Sequence, residues 1–178
     1  MSHFDFLNRH DIEANEETKM TTVRLDAMNA APSLMKEWQR AMFSLNAACD
    51  PGADVAELVK IRVSQINGCA NCVNLHTTQA RLNGETEQRI YLLPVWREAP
   101  CYTDRERAAL GWADALTRLP ESHTHEEAYE SLKASFSDEE QVKLTLLINI
   151  IGSYNRIALG FGGWMDPTAL KAAKASAS

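Results

Sequence analysis

"DVAELVKIRVSQINGCANCVNLHTTQARL", Asp54 to Leu82, is the stretch on which the fold turns. In its first half Val55, Leu58, Val59 and Ile66 recur at helical spacing, and Asp54, following "PGA", is the expected N-cap. Asn67-Gly68 interrupts the pattern, and a second helical run follows until Asn83-Gly84 ends it. A chain with so short a break can fold the second helix back against the first. The centre of the protein therefore reads as a helical hairpin.

The flanks carry the same signature. "APSLMKEWQRAMFSLNAA" places Leu34, Met35, Trp38, Met42 and Leu45 at helical spacing, with Pro32 near its start. "TEQRIYLLPVW" is a shorter helix broken near Pro94. "TDRERAALGWADALTRL" opens on a Thr or Asp cap, with Glu106 in its first turn, and ends before Pro120. "HEEAYESLKASF" is a further helix. "SDEEQVKLTLLINIIGSYNRIAL" starts on the capping box of Ser137 and Glu140 and closes near Gly160. No run sustains period-two alternation. The expected fold class is all-α, with one helical domain over 20–165, an N-terminal arm over 1–19 and a tail over 166–178.

With 178 residues, 45% apolar and 24% charged, the chain can build a core without disulfides or metal. A net charge of −6 and no basic stripe argue against nucleic acid as a partner. The N-terminal residues show no secretory pattern. "LTLLINIIGSYNRIALGF" contains Ser, Asn and Arg and reads as a buried helix, apolar nearly all round, with no membrane partner expected. A cytoplasmic location follows as the expectation, and there a CxxC pair suits catalysis or metal binding better than a structural staple.

Cys69, Cys72 and His76 stand at i, i+3 and i+7, on one face of the predicted second helix. The cysteines occupy its first turn, where unpaired N–H groups and the helix dipole favour a thiolate. His76 is within reach as a proton acceptor for Cys72. Glu57, on the preceding helix, can face His76, raising its basicity and fixing its tautomer. The residues alone leave open a redox couple, a zinc site built from Glu57, Cys69, Cys72 and His76, or two packed thiols. The helix start makes Cys69 the expected more exposed thiol, and His76 makes Cys72 the expected more acidic one.

"ELVKIRVSQINGCANCVNLH", with Glu57, Cys69, Cys72 and His76 in register, resembles the alkylhydroperoxidase D-like branch of the carboxymuconolactone decarboxylase family. "REAPCYTDRERAALGWADALTRL", Arg97 to Leu119, and "NIIGSYNRIAL", Asn149 to Leu159, resemble the same branch. The resemblance implies an all-helical bundle assembled as a homotrimer or homohexamer. It implies a thiol peroxidase in which Cys72 attacks a peroxide, Cys69 resolves the sulfenic acid as a disulfide, and His76 and Glu57 relay the proton. A thiol reductant, in the best-known members a lipoylated protein, would reopen the disulfide. Asn71 stands where those members carry a histidine. No cofactor and no metal are implied. The alternatives are a dithiol–disulfide reductase for a protein partner, a lactone decarboxylase, against which the CxxC counts, and a redox-responsive binding module.

The remaining polar and aromatic residues read more plainly. Cys49 and Cys101 are expected as packing or spare thiols. His123 and His125 belong to a loop and cap, and His3 and His10 to the arm. Trp38, Trp96, Trp112 and Trp164 are expected in the core or at subunit contacts. Arg156, in an apolar helix, is expected to form a structural ion pair.

Overall fold

A computed structural model describes residues 23–121 and 125–163, the side chains at 53 and 54 excepted. The arm over 1–19, the tail over 166–178, His3, His10, His123 and Trp164 lie outside the described residues. All regular structure among the described residues is helical: α1 (Ala27–Ala30), α2 (Pro32–Ala48), α3 (Ala53–Ile66), α4 (Ala70–Leu82), α5 (Glu87–Leu92), α6 (Asp104–Thr117), α7 (His125–Ser135) and α8 (Asp138–Phe161). A 3-10 turn, Leu93–Val95, follows α5 where Pro94 interrupts it.

Local chemistry sets most boundaries. Thr103 and Glu106 form a reciprocal capping box at the start of α6, and Ser137 and Glu140 do the same for α8. Gly162, at φ 76°, ends α8 in the left-handed conformation. The α3 cap differs from expectation: Gly52 is the N-cap and Asp54 lies inside the helix. The Asp50 carboxylate accepts a hydrogen bond from the Gly52 N–H at 2.9 Å, so the turn closes two residues earlier than the "PGA" cue suggests.

Helix α3 is the hub. It packs against α4, α6, α8 and the 3-10 turn. Val55, Val59 and Val63 meet Ala109, Ala113, Leu144, Leu147 and Ile151 in one core cluster, which also holds Cys69 and Cys72. Leu58 and Ile61, from another face of α3, join Leu93, Trp96 and Leu110 in a second cluster. At 24 residues α8 is long and apolar enough to cross a membrane by length and composition alone. Here it packs against α2, α3, α4, α6 and α7. It is not buried all round as its composition suggests, for Val142 and Leu146 face outward. Arg156 is exposed and donates to the Gly152 carbonyl at 2.9 Å, with no carboxylate partner among the described residues. An arginine on an outward face stays hydrated, so no ion pair is needed.

Helix α2 departs most from its sequence reading. Only Met35 is buried, while Leu34 and Phe43 are 70% and 76% exposed. Its main neighbours are α1 and α8, so its apolar stripe finds one wall and no second. Trp38 stacks edge-on against Tyr154 at 4.8 Å between centroids. Trp96 is buried, and Trp112 donates to Thr145 Oγ1 at 2.9 Å. Cys49 is buried and Cys101 half-buried.

One ion cluster braces the hub. Asp114 accepts from Arg62 Nε at 2.6 Å and Nη2 at 3.1 Å, from Arg97 Nη1 at 2.6 Å, and from the Trp96 indole at 3.4 Å. Burial alone would push the Asp114 carboxyl up, but the two guanidiniums outweigh it and hold the group below its ordinary range. Arg62 is buried too. Asp114→Ala therefore strands a buried guanidinium and should cost about 3–5 kcal/mol in urea unfolding. A loss under about 1 kcal/mol, the value of a surface pair, would show that the cluster is not a brace.

Candidate active site

The site is built around the joint between α3 and α4. Gly68, at φ 71°, turns the chain in the left-handed conformation. The Cys69 N–H donates to the Ser64 carbonyl at 2.9 Å, and the Gly68 N–H to Gln65 at 3.2 Å. This is the double bond pattern of a Schellman turn, which closes α3. Cys69 is at once the residue past that turn and the N-cap of α4, its Sγ accepting from the Cys72 N–H at 3.4 Å. One residue thus ends one helix and starts the next.

Helix α8 clamps this joint through Asn155, which is fully buried. Its Oδ1 accepts from Asn67 Nδ2 at 2.9 Å, and its Nδ2 donates to Ser64 Oγ at 3.1 Å. The same side chain hydrogen-bonds Cys72. Asn155 lies within "NIIGSYNRIAL", but no local spacing assigns it a partner 88 residues away. Sequence reasoning gave it no role.

The hairpin brings Glu57 and His76 together, His76 Nδ1 lying 2.9 Å from Glu57 Oε2. The other carboxylate oxygen, Oε1, accepts from Lys60 Nζ at 2.9 Å. Lys60 went unremarked in the sequence, although its place one turn after Glu57 is a signal for such a pair. Burial works to raise the Glu57 pKa, but the hydrogen bond and charge of His76, followed by Lys60, bring it below the ordinary carboxylate value. Glu57 is thus ionised at neutral pH. An ionised carboxylate only accepts, so His76 Nδ1 is the donor in this contact and Nε2 is the ring nitrogen left free to exchange a proton.

The cysteines overturn the expected order of exposure. Each is buried, and Cys69 is the less exposed, at 1% against 4% for Cys72. The capping position faces the core instead of solvent because α8 covers the joint. Nor is Cys72 acidic at rest. Burial first, then the hydrogen bond and charge of Cys69, push its thiol up to about 12, with Asn155 pulling the other way. All four cysteines are thiols here. Among the described residues no group of three or more His, Cys, Asp or Glu side chains is placed to hold a metal ion, which speaks against the zinc reading.

Cys72 and His76 open on a cavity of about 660 Å³ between α2, α4 and α8. Lys60 and Asn71 line it too, with Trp38, Phe43, Ile157 and Phe161 among its apolar walls. Cys69 is not among the lining residues. The arrangement can pass a proton from a thiol facing the cavity to an oriented imidazole, with a second thiol directly behind.

Comparison with known proteins places the chain. Residues 32–115 match the carboxymuconolactone decarboxylase family. The uncharacterized protein YdfG of Bacillus subtilis (strain 168) is 46% identical over 106 residues, covering 60% of this chain and 72% of YdfG. The alkyl hydroperoxide reductase AhpD of Maricaulis maris (strain MCS10) is 31% identical over 98 residues, covering 44% of this chain and 57% of that protein. Among solved structures, ATU0492 of Agrobacterium tumefaciens, a protein of unknown function described as a candidate AhpD of antioxidant defence, superposes with a TM-score of 0.76 at 41% identity. That match covers 82% of this chain and 99% of ATU0492. The chain belongs to the carboxymuconolactone decarboxylase family, in its alkylhydroperoxidase D-like branch.

The two influences on Cys72 are separable by experiment. Cys69→Ala removes the hydrogen bond and charge that raise its pKa, so the pH curve of Cys72 alkylation should move to lower pH. Asn155→Leu removes the contact that lowers it and should move the curve up. Curves that stay in place would show that neither neighbour sets the thiol's acidity.

Proposed function

We propose that this protein is a thiol peroxidase acting through a Cys69–Cys72 dithiol/disulfide cycle. The observation that carries the reading is that Cys72 faces the large cavity beside His76, whose Nδ1 is committed to an ionised Glu57. The Cys72 sulfur attacks a peroxide oxygen, forming S–O as O–O breaks. His76 Nε2 takes the thiol proton and returns it to the leaving alkoxide or hydroxide. The sulfur loses two electrons and the peroxide becomes an alcohol or water. Cys69 then attacks the sulfenic acid at Cys72, S–S forms, and hydroxide leaves with the Cys69 proton as water. A dithiol reductant restores both thiols.

The raised Cys72 pKa makes the relay more necessary. An exposed helix N-terminus contributes only about 0.3–1 kcal/mol towards a thiolate, and burial opposes it. The proton must therefore move as the attack occurs, which is the work of a positioned base. The cavity also suits a lipoyl arm, slender and largely apolar, as the reductant. A folded protein disulfide has poorer access to two buried thiols, which ranks the protein-disulfide reductase second. The exposed apolar side chains of α2, Leu34 and Phe43 foremost, support a homotrimer or homohexamer in which a second copy covers them. A dithiol that must return to its reduced form fits a cytoplasmic location.

The test is peroxide consumption with dihydrolipoamide as reductant. Cys72→Ser should abolish turnover. Cys69→Ser should allow a single oxidation and leave a sulfenic acid on Cys72 in the mass spectrum. Normal turnover by Cys69→Ser would remove the resolving step from the scheme. Glu57→Gln should slow Cys72 oxidation by about tenfold to a thousandfold with the fold intact, the usual range for one member of a proton relay. Equal rates would make Glu57 a bystander. Sedimentation at micromolar concentration should give a mass in multiples of three chains, and a monomer mass would sink the assembly.

A further inference from the structure

The cavity that holds Cys72 is also lined by an aromatic pair, Trp38 from α2 and Tyr154 from α8. Their rings meet edge-on, 4.8 Å between centroids and 70° between planes, and both residues are half-buried. Enclosed indoles and phenols usually find an acceptor in the protein. Elsewhere in this fold they do: Trp96 donates to Asp114, Trp112 to Thr145, and Tyr102 to the Arg89 carbonyl. The Tyr154 hydroxyl has no hydrogen-bond partner among the described residues, and burial alone acts on it, raising its pKa. It is therefore a protonated phenol at neutral pH, with a donor to spare. Nor is its oxygen sealed inside the core, so a ligand can reach it. Met28 and Met35 line the same cavity, and thioethers adapt their shape to a ring laid against them.

We infer that the substrates of this site are organic hydroperoxides with an aromatic body, held by the rings of Trp38 and Tyr154 and by a hydrogen bond from the Tyr154 hydroxyl to a substrate oxygen. The inference rests on the peroxidase reading above and names the class of peroxide. Hydrogen peroxide is little larger than a water, whose share of liquid volume is about 30 Å³. It would leave a cavity of about 660 Å³ full of solvent and its walls without a task. A volume of this order matches a small-molecule site. An edge-on pair leaves ring faces open to a third ring, and aromatic contacts add to what burial alone supplies. A saturated body of the same size gains the burial and not this addition. Trp38 and Tyr154 thus act on the choice of substrate, while Cys72 and His76 act on its oxygen–oxygen bond. The bound hydroperoxide leaves as the corresponding alcohol, and its second oxygen leaves as water when Cys69 closes the disulfide.

A matched pair of unreactive ketones tests the site without turnover. In a Cys69→Ser background, acetophenone and cyclohexyl methyl ketone are compared as protectants of Cys72 against iodoacetamide. They share a carbonyl and a carbon count, and the saturated ketone has the larger apolar surface, so burial alone would favour it. Acetophenone should nevertheless protect at a concentration about two- to tenfold lower, the usual reach of an aromatic contact. Trp38→Leu should erase that preference. Tyr154→Phe keeps the ring and loses the donor, so it should preserve the preference while raising both half-protection concentrations about two- to tenfold. Equal protection by the two ketones, or a preference that survives Trp38→Leu, overturns the inference. Unchanged protection in Tyr154→Phe together with a smaller sedimentation mass would assign the pair to a subunit contact and overturn it too. The turnover counterpart compares kcat/KM for cumene hydroperoxide and its ring-saturated analogue, with dihydrolipoamide as reductant; the aromatic one should lead by a similar factor. Ketone discrimination as expected with neither hydroperoxide consumed upholds the aromatic site and removes the peroxide reading alone. Both hydroperoxides consumed at equal kcat/KM upholds the peroxidase and overturns the aromatic preference.

Discussion

The turn at Asn67, Gly68 and Cys69 is the constraint on which the site depends. It leaves three residues between two helices, so any change in its geometry swings α4 as a rigid arm. Glu57 lies about three helical turns before the break and His76 about two turns after the start of α4. Their 2.9 Å contact exists only if the arm closes at the right angle. Gly68 adopts its left-handed φ without the penalty of a Cβ. The Asn155 side chain spends its oxygen on Asn67 and its NH2 group on Ser64 and Cys72, joining the last turn of α3, the turn itself and the Cys72 thiol to α8. The angle of the hairpin is thus set by a third helix, not by the turn alone.

The site also sorts charges by their partners. Glu57, Lys60 and Cys72 are all largely withdrawn from water. The carboxylate remains ionised because two cationic or donor groups face it from both of its oxygens. Cys72 has a neutral amide for help, and a neighbouring sulfur works against it, so burial decides the outcome and the proton stays. Enclosure therefore leaves an anion at one position and a neutral thiol at another. The difference is the sign of the nearest group, not the dielectric around them.

How much of this was legible in the sequence depended on how local each cause was. Capping boxes need only residues three apart, and Thr103–Glu106 and Ser137–Glu140 both form as read. The hairpin was legible because Asn67-Gly68 is a local stop, and Glu57 opposite His76 followed from folding one helix onto the next. The misses share a long-range cause. Cys69 starts a helix, a position usually near solvent, but α8 covers it. Asn155 is identified only by partners on α3 and at the joint. Leu34 and Leu45 have helical spacing, yet spacing does not say what lies opposite the stripe, and the monomer offers it little. Arg156 was placed in an apolar run whose outward face the periodicity did not reveal.

In the proposed cycle the burial of the pair acts on charged states more than on oxidation states. The dithiol and the disulfide are both neutral, and an apolar setting penalises neither by desolvation. The thiolates that must exist between them are penalised, as the raised pKa of Cys72 registers. Such a site holds its two resting forms comfortably and makes passage between them conditional on a proton acceptor at the moment of attack. His76 is the acceptor within one helical turn, and its readiness is set by Glu57. Cys69 and Cys72 share one face at the helix start, so closing the disulfide asks for side-chain rotation and leaves the Schellman turn intact. In that proposed cycle the chemistry falls to the thiols and the proton handling to the Glu57–Lys60–His76 cluster, while Asn155 ties α8 to both the joint and Cys72.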